Sequence, residues 1–285
     1  MTVDVEDYYQ VSAFNEVIAY NEWEEYESRV EKNTNNILDI FDDNNTKSTF
    51  FVLGWVAERY PHIVREIYKR GHEVACHGYS HQLIYNQSRS EFKEETLRAK
   101  QILEEITGSA VIGYRAASYS ITKNSLWALE ILAESGFKYD SSIFPIVHDR
   151  YGIPTAPREP HIIKMKNELS IIEFPLSTYK ILGMRLPVSG GGYFRLYPYQ
   201  FTRHALKTIN RQNNLFVFYL HPWEIDPQQP KIRASRLSRF RHYKNLEKCE
   251  SRLRQLLKDF KFTTMKSLLD ELFLQTPSNI PEISY

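Results

Sequence analysis

Short apolar runs alternate with longer amphipathic segments along this chain. Met1–Val5, Lys47–Leu53, His72–Cys76, Ala110–Tyr114, Phe137–Asp140 and the wholly apolar Leu215–Leu220 each predict a strand. Between them, Asn33–Asp43, Val56–Arg70, Ser88–Thr107, Lys123–Ser135, Tyr199–Gln212 and Tyr243–Phe260 predict helices. Pro61 interrupts the second of these near a helix start. Ser88 and Glu91 have the spacing of a capping box, and Gly108 follows the last turn of that helix. Phe262–Met265 predicts a last strand, followed by a short helix and a proline-bearing tail. Residues 10–32 predict a loop with a short helix, and residues 227–242 a basic loop carrying Arg233, Arg236, Arg239 and Arg241. Residues 146–196 break the rhythm. Their prolines and the run Gly190-Gly191-Gly192 predict β-hairpins and a loop covering one end of the fold. Strand followed by helix, repeated along the chain, predicts an α/β architecture with a parallel sheet. It predicts a single domain over 1–285, with a hairpin insertion at 146–196.

The bulk numbers narrow this picture. With 36 Lys and Arg against 35 Asp and Glu, net charge gives no argument for nucleic acid or a membrane surface. Two cysteines, Cys76 and Cys249, cannot build a disulfide framework and predict free thiols in a reducing compartment. No apolar run is long enough to span a membrane, and the chain opens on acids rather than on an export signal. The expectation is a cytoplasmic protein, or one peripheral to a membrane. Aromatic residues make up 14%, with 19 Tyr, which suits a cleft facing carbohydrate.

The candidate chemistry sits where strands end: Asp4, His77, Arg115, Asp140 and His221. In a parallel barrel the active site lies at the C-terminal ends of the strands. His77 and His81 are four residues apart and can close on one metal ion, since neutral imidazole is the commonest metal ligand. A catalytic zinc site takes three protein ligands and leaves a position for water. The third ligand is expected from Asp4-Val5-Glu6-Asp7: strand alternation favours Glu6, and a position just past the strand end favours Asp7. Such a site lowers the pKa of bound water to about 7. Asp4 is then the candidate general base, with Arg115 as its bidentate partner. His221 is the candidate acid that protonates a leaving amine, and Asp140 is expected to orient it. Cys76 reads as a buried thiol beside the site, and His72 as a structural histidine.

In chain order, Asp4-Val5-Glu6-Asp7, His77-Gly78-Tyr79-Ser80-His81, Tyr114-Arg115, Asp140-Ser141-Ser142 and Leu220-His221 resemble five known motifs. These are the motifs of the polysaccharide deacetylases, the NodB-homology or carbohydrate esterase family 4 group. The likeness covers residues 1–225. Gly190–Arg195, His221–Glu224 and Phe240–Leu246 resemble a narrower subfamily associated with bacterial exopolysaccharide gene clusters, which extends it over 226–285. The resemblance implies a distorted (β/α)7-type barrel, a divalent metal, usually Zn2+, and removal of acetyl groups from N-acetylated sugars. Asp4 would be the base, His77 and His81 ligands, Arg115 the partner of the base and His221 the acid. Tyr193 and Trp223, in the subfamily segments, are candidate substrate contacts. This sequence departs from the family in three places. Val5 separates acids that are usually adjacent aspartates. Ala116-Ala117-Ser118-Tyr119 replaces prolines after the arginine, making Ser118 or Tyr119 the expected backbone donor to the oxyanion. The chain also shows no export signal, which favours a lipid-linked or nucleotide-linked precursor over a finished polymer. An amidase acting on a small non-sugar amide, and an inactive carbohydrate-binding protein, are the alternatives.

Overall fold

The computed structural model describes residues 1–165, 167–275 and 280–285. Its strands are β1 (Thr2–Val5), β2 (Thr49–Val52), β3 (Glu73–Cys76), β4 (Gly113–Tyr114), β5 (Tyr139–Asp140), β6 (His161–Lys164), β7 (Ser170–Glu173), β8 (Thr178–Ile181), β9 (Met184–Pro187), β10 (Tyr219–Leu220) and β11 (Glu282–Ser284). Its α-helices are α1 (Val30–Asp43), α2 (Gly54–Arg59), α3 (Pro61–Lys69), α4 (Arg89–Thr107), α5 (Trp127–Glu134), α6 (Gly191–Leu196), α7 (Tyr199–Arg211), α8 (Arg236–Tyr243), α9 (Cys249–Asp259) and α10 (Met265–Gln275).

Seven strands run parallel in the order β10-β1-β2-β3-β4-β5-β7. The ring closes through the chain beyond β7. Val188 N–H donates to Ser177 O, and Gly190 bridges in parallel to Tyr219. Gly190 is needed there: its φ is +122°, and a Cβ would lie 1.9 Å from Tyr219 O. The result is a distorted barrel, α/β in class, as expected.

Alternation divides each strand between lumen and helices. Val3, Phe50 and Val52 join Ile37, Phe41 and Leu103 in the main core. Phe51, Ala75 and Tyr139 form an inner cluster with Met265 and Leu269 of α10. The start of α10 plugs one end of the lumen. Met265 N–H donates to Thr49 Oγ1 at 2.8 Å, and Lys266 N–H to Glu73 Oε2 at 2.8 Å, meeting the donors a helix start leaves unpaired. The other end, where β1, β3, β4, β5 and β10 finish, is left for chemistry.

The predicted capping box at Ser88 forms, and Gly108 closes α4 in the left-handed conformation. The predicted interruption at Pro61 falls between α2 and α3, with the proline at the first position of α3. Four expectations give way. The region 146–196 is more than a cover, because β7 is itself a stave of the barrel. Gly191 and Gly192 open a helix rather than a loop. The basic segment carries α8, whose N-cap Ser235 accepts a hydrogen bond from Ser238 N–H. Phe262–Met265 is not a strand, since α10 begins at Met265, while an unexpected β11 pairs with β6. Pro277, in the predicted tail, lies outside the described residues.

Candidate active site

β1 delivers Glu6 and β3 delivers His77 to the same end of the barrel. His81 returns on the next turn in a left-handed conformation, φ +54°. Strain of this kind persists where surrounding structure imposes it, often at functional sites. One ligand atom from each of Glu6, His77 and His81 lies within 4.8 Å of the others, and all three residues are buried. Their hydrogen bonding fits a cation. His77 Nδ1–H donates to Arg115 O at 2.7 Å, leaving Nε2 as an acceptor. Burial holds His77 down at about 4, so the imidazole is neutral at pH 7. Glu6 Oε2 lies 2.8 Å from His81 Nε2, yet accepts no hydrogen bond. A buried carboxylate oxygen and two buried imidazole nitrogens gathered at one point are the donor set of a divalent cation site, and these residues fit the divalent metal that the sequence resemblance implies. Burial alone would raise Glu6; the charges of His81 and His221 outweigh it and hold the carboxyl at about 2.

Asp4 lies two residues back along β1, facing the lumen. Its Oδ1 accepts from Arg115 Nη1 at 2.7 Å, and its Oδ2 from Tyr119 Oη at 3.4 Å. Arg115 is fully buried, and its remaining donors reach Thr2 Oγ1, Ser141 O and Ser141 Oγ. It grips Asp4 by one oxygen only, so the expected bidentate pair is not formed. His221 Nε2 stands 4.0 Å from Asp4 Oδ2 and 3.6 Å from Glu6 Oε1. Its Nδ1–H donates to Glu224 Oε1 at 2.6 Å, and Arg195 Nε donates to Glu224 Oε2 at 2.7 Å. Burial opposes the charged imidazole, but Glu6, Glu224 and Asp4 raise His221 to about 9, so it holds a proton at neutral pH. Trp223 stacks on His221 with centroids 5.1 Å apart, and its Nε1–H donates to Glu6 Oε1 at 3.2 Å.

Residues 22–139 match the family model described as polysaccharide deacetylase. This part of the chain belongs to that family. The deacetylase segment holds His77, His81 and Arg115. Residues 141–270, which carry His221, match a domain of unknown function (DUF3473). Asp4 and Glu6 precede both matches. A peptidoglycan-N-acetylglucosamine deacetylase of Bacillus cereus is 36% identical over 98 residues, 34% of this chain and 36% of that one. The chain thus spans about a third of the length of that relative. Among solved structures, a Mycobacterium smegmatis protein assigned as a polysaccharide deacetylase aligns with TM-score 0.61 at 19% identity, over 97% of this chain and 90% of its own. A PuuE allantoinase aligns with TM-score 0.56 at 18% identity, over 87% of this chain and 74% of its own. At such identities these likenesses speak for the fold alone.

Not every expected residue joins the site of this deacetylase fold. Asp7 turns away: its oxygens accept from the N–H groups of Tyr8, Arg29 and Val30 and from Ser28 Oγ. It fastens the start of α1, and Glu6 alone of the two acids faces the imidazoles. Asp140 does not reach His221. It accepts from Ser142 Oγ at 2.6 Å and Ser142 N–H at 3.1 Å, beside a Glu173 that burial and Asp140 push well up. Glu224 holds the place against His221 Nδ1 that Asp140 was expected to fill. The one sequence signal for it was an acid three residues after a strand-end histidine. Tyr119 N–H is spent on Ala116 O, which leaves Ser118 of the two expected oxyanion donors. Cys76 is buried outside the ligand group, its thiol pushed up to about 12 by burial. A cleft of about 390 Å³ opens over the site, and Ser118, Tyr119, Tyr193 and Trp223 line it.

Proposed function

We propose that the chain is a metal-dependent hydrolase that removes N-acetyl groups from amino sugars of a bacterial polysaccharide or its precursor. Both halves act as one catalytic domain over 1–285. The observation that carries this reading is the convergence of Glu6, His77 and His81 on one point, with Asp4 and His221 beside it. Glu6, His77 and His81 would hold the divalent cation; two imidazoles and a carboxylate match Zn2+. The bound ion would supply Lewis acidity toward the amide carbonyl and lower the pKa of water to about 7.

Every other role falls to the chain's own groups. Asp4, fixed by Arg115, takes the proton from the attacking water. His221, protonated at neutral pH and oriented by Glu224, gives a proton to the leaving amine, which departs slowly without one. The Ser118 backbone and the aromatic face of Tyr193 position the sugar in the cleft, while Trp223, stacked between His221 and His242, meets it by its edge alone.

Acetate release from N-acetylglucosamine oligomers tests the reading. Turnover of those oligomers, with none of the ureide allantoin, supports it; the reverse pattern assigns the site to small non-sugar amides. Asp4→Asn is expected to retain the metal and lose on the order of 10²–10⁴ of the rate. Full turnover by that variant removes Asp4 as base.

A further inference from the structure

We propose that the cleft takes an anionic sugar chain, holding a carboxylate or phosphate oxyanion on a unit next to the one whose acetamide is cut. This rests on the deacetylase reading above. The wall of the cleft away from Glu6, His77 and His81 includes the 148–151 loop and α8. Leu237, Phe240 and Arg241 follow the i, i+3, i+4 spacing that puts side chains on one helix face, Lys244 follows as the C-cap, and all four line the cleft. Leu237 is 56% and Phe240 49% exposed, an apolar cost for water-facing positions.

The cations here are not neutralised from within. Arg115 is committed to Asp4, and Arg195 to Glu224. Arg150, Arg241 and Lys244 pair with no carboxylate among the described residues; Lys244 meets only the Phe240 ring. The two acids on the cleft wall, Asp4 and Glu6, are already engaged at the catalytic end. Arg150 and Arg241 come from different elements, and both line the cleft around His148. Burial holds His148 below its ordinary value against the pull of Asp149, and the charges of Arg241 and Arg150 push the same way. Like charges gathered in a concave site raise the local concentration of an opposite ion. A guanidinium fork suits carboxylate and phosphate oxygens. Phe240, half exposed, supplies a flat face for a sugar ring between, and Tyr151 is packed behind His148 and against Phe144. A neutral oligomer would leave all three cations without a counter-charge.

Calorimetric titration tests this with three probes on the full chain. They are a tetrasaccharide alternating N-acetylglucosamine with glucuronate, UDP-N-acetylglucosamine, and the uncharged N-acetylglucosamine tetramer. At low salt, at least one anionic probe is expected to bind about tenfold or more tighter than the neutral one, a preference screened at 1 M salt. Which anion wins names carboxylate or phosphate as its source. Arg150→Gln with Arg241→Gln, at exposed positions, is expected to erase the preference while the melting temperature stays unchanged. Equal binding of all three probes by the unaltered chain, or a preference that survives the double substitution, overturns the proposal. Binding is read without turnover, so the two readings fail separately. An anionic preference with no acetate released from any probe sinks the deacetylase reading and leaves the subsite. Acetate released equally well from charged and neutral oligomers does the opposite.

Discussion

Glu6 and Asp7 are neighbours in sequence that face opposite ways, and strand parity explains it: β1 turns alternate side chains in and out. Glu6→Gln is expected to abolish metal retention after dialysis, measured by elemental analysis. Asp7→Asn is expected to keep the metal but unfold more readily, by about 1–3 kcal/mol, because it weakens the acceptor for three backbone donors. Metal loss from the second variant and not the first would return Asp7 to the ligand set. The pair His77 and His81 was legible in the sequence because both lie in one strand-end segment. Glu224 was not, because nothing in a linear pattern shows which of several acids will meet an imidazole. Its role predicts a pH effect. The acid must carry its proton, so activity falls as pH rises through the His221 pKa, near 9 with its three anionic neighbours. Glu224→Gln removes one of them, and the alkaline limb of kcat/KM is expected to move to lower pH. An unmoved limb would show that Glu224 does not tune the acid.

Among the elements, α6 and α8 are joined by one buried side chain. Arg195 of α6 donates to Glu224 and to the carbonyl oxygens of Arg241, His242 and Lys244 at the end of α8. Those carbonyls have no partner within their own helix. Arg195→Met is expected to cost about 3–5 kcal/mol in denaturant unfolding, since it leaves Glu224 as an uncompensated buried charge. A loss below about 1 kcal/mol, the scale of a surface pair, would refute that account. Neither helix was legible beforehand. A glycine run reads as a loop, and an arginine-rich stretch with few apolar residues reads as a solvated one. Side chains distant in sequence satisfy both ends: Arg195 meets the last carbonyls of α8, and Arg252 Nη1 and Asn245 Nδ2 meet those of α6. The six strand–helix alternations were legible, because their apolar periodicity reports burial directly.

At the scale of the whole molecule, burial holds several histidines in neutral form, His161 among them. Burial holds His72 and His77 at about 4 and His242 at about 3. The unfolded chain takes up these protons near 6.5, so the stability they contribute is complete above that pH and is lost as pH falls toward 4. The melting temperature is therefore expected to start falling below pH 6.5, a fall that Asp7, held up at about 6 by burial, offsets in part. A flat profile from pH 7 down to 5 would contradict this. The barrel could be foreseen from strand-then-helix order; how it closes could not, since that rests on Gly190 and on a stave supplied by the hairpin region. Closure bears on how the protein comes into being. β1, the bearer of Asp4 and Glu6, pairs at Thr2 with Tyr219. While the chain is still emerging from the ribosome, β1 lacks one neighbour until more than two hundred further residues have been made, so catalytic competence arrives late, and such distant pairing is slow.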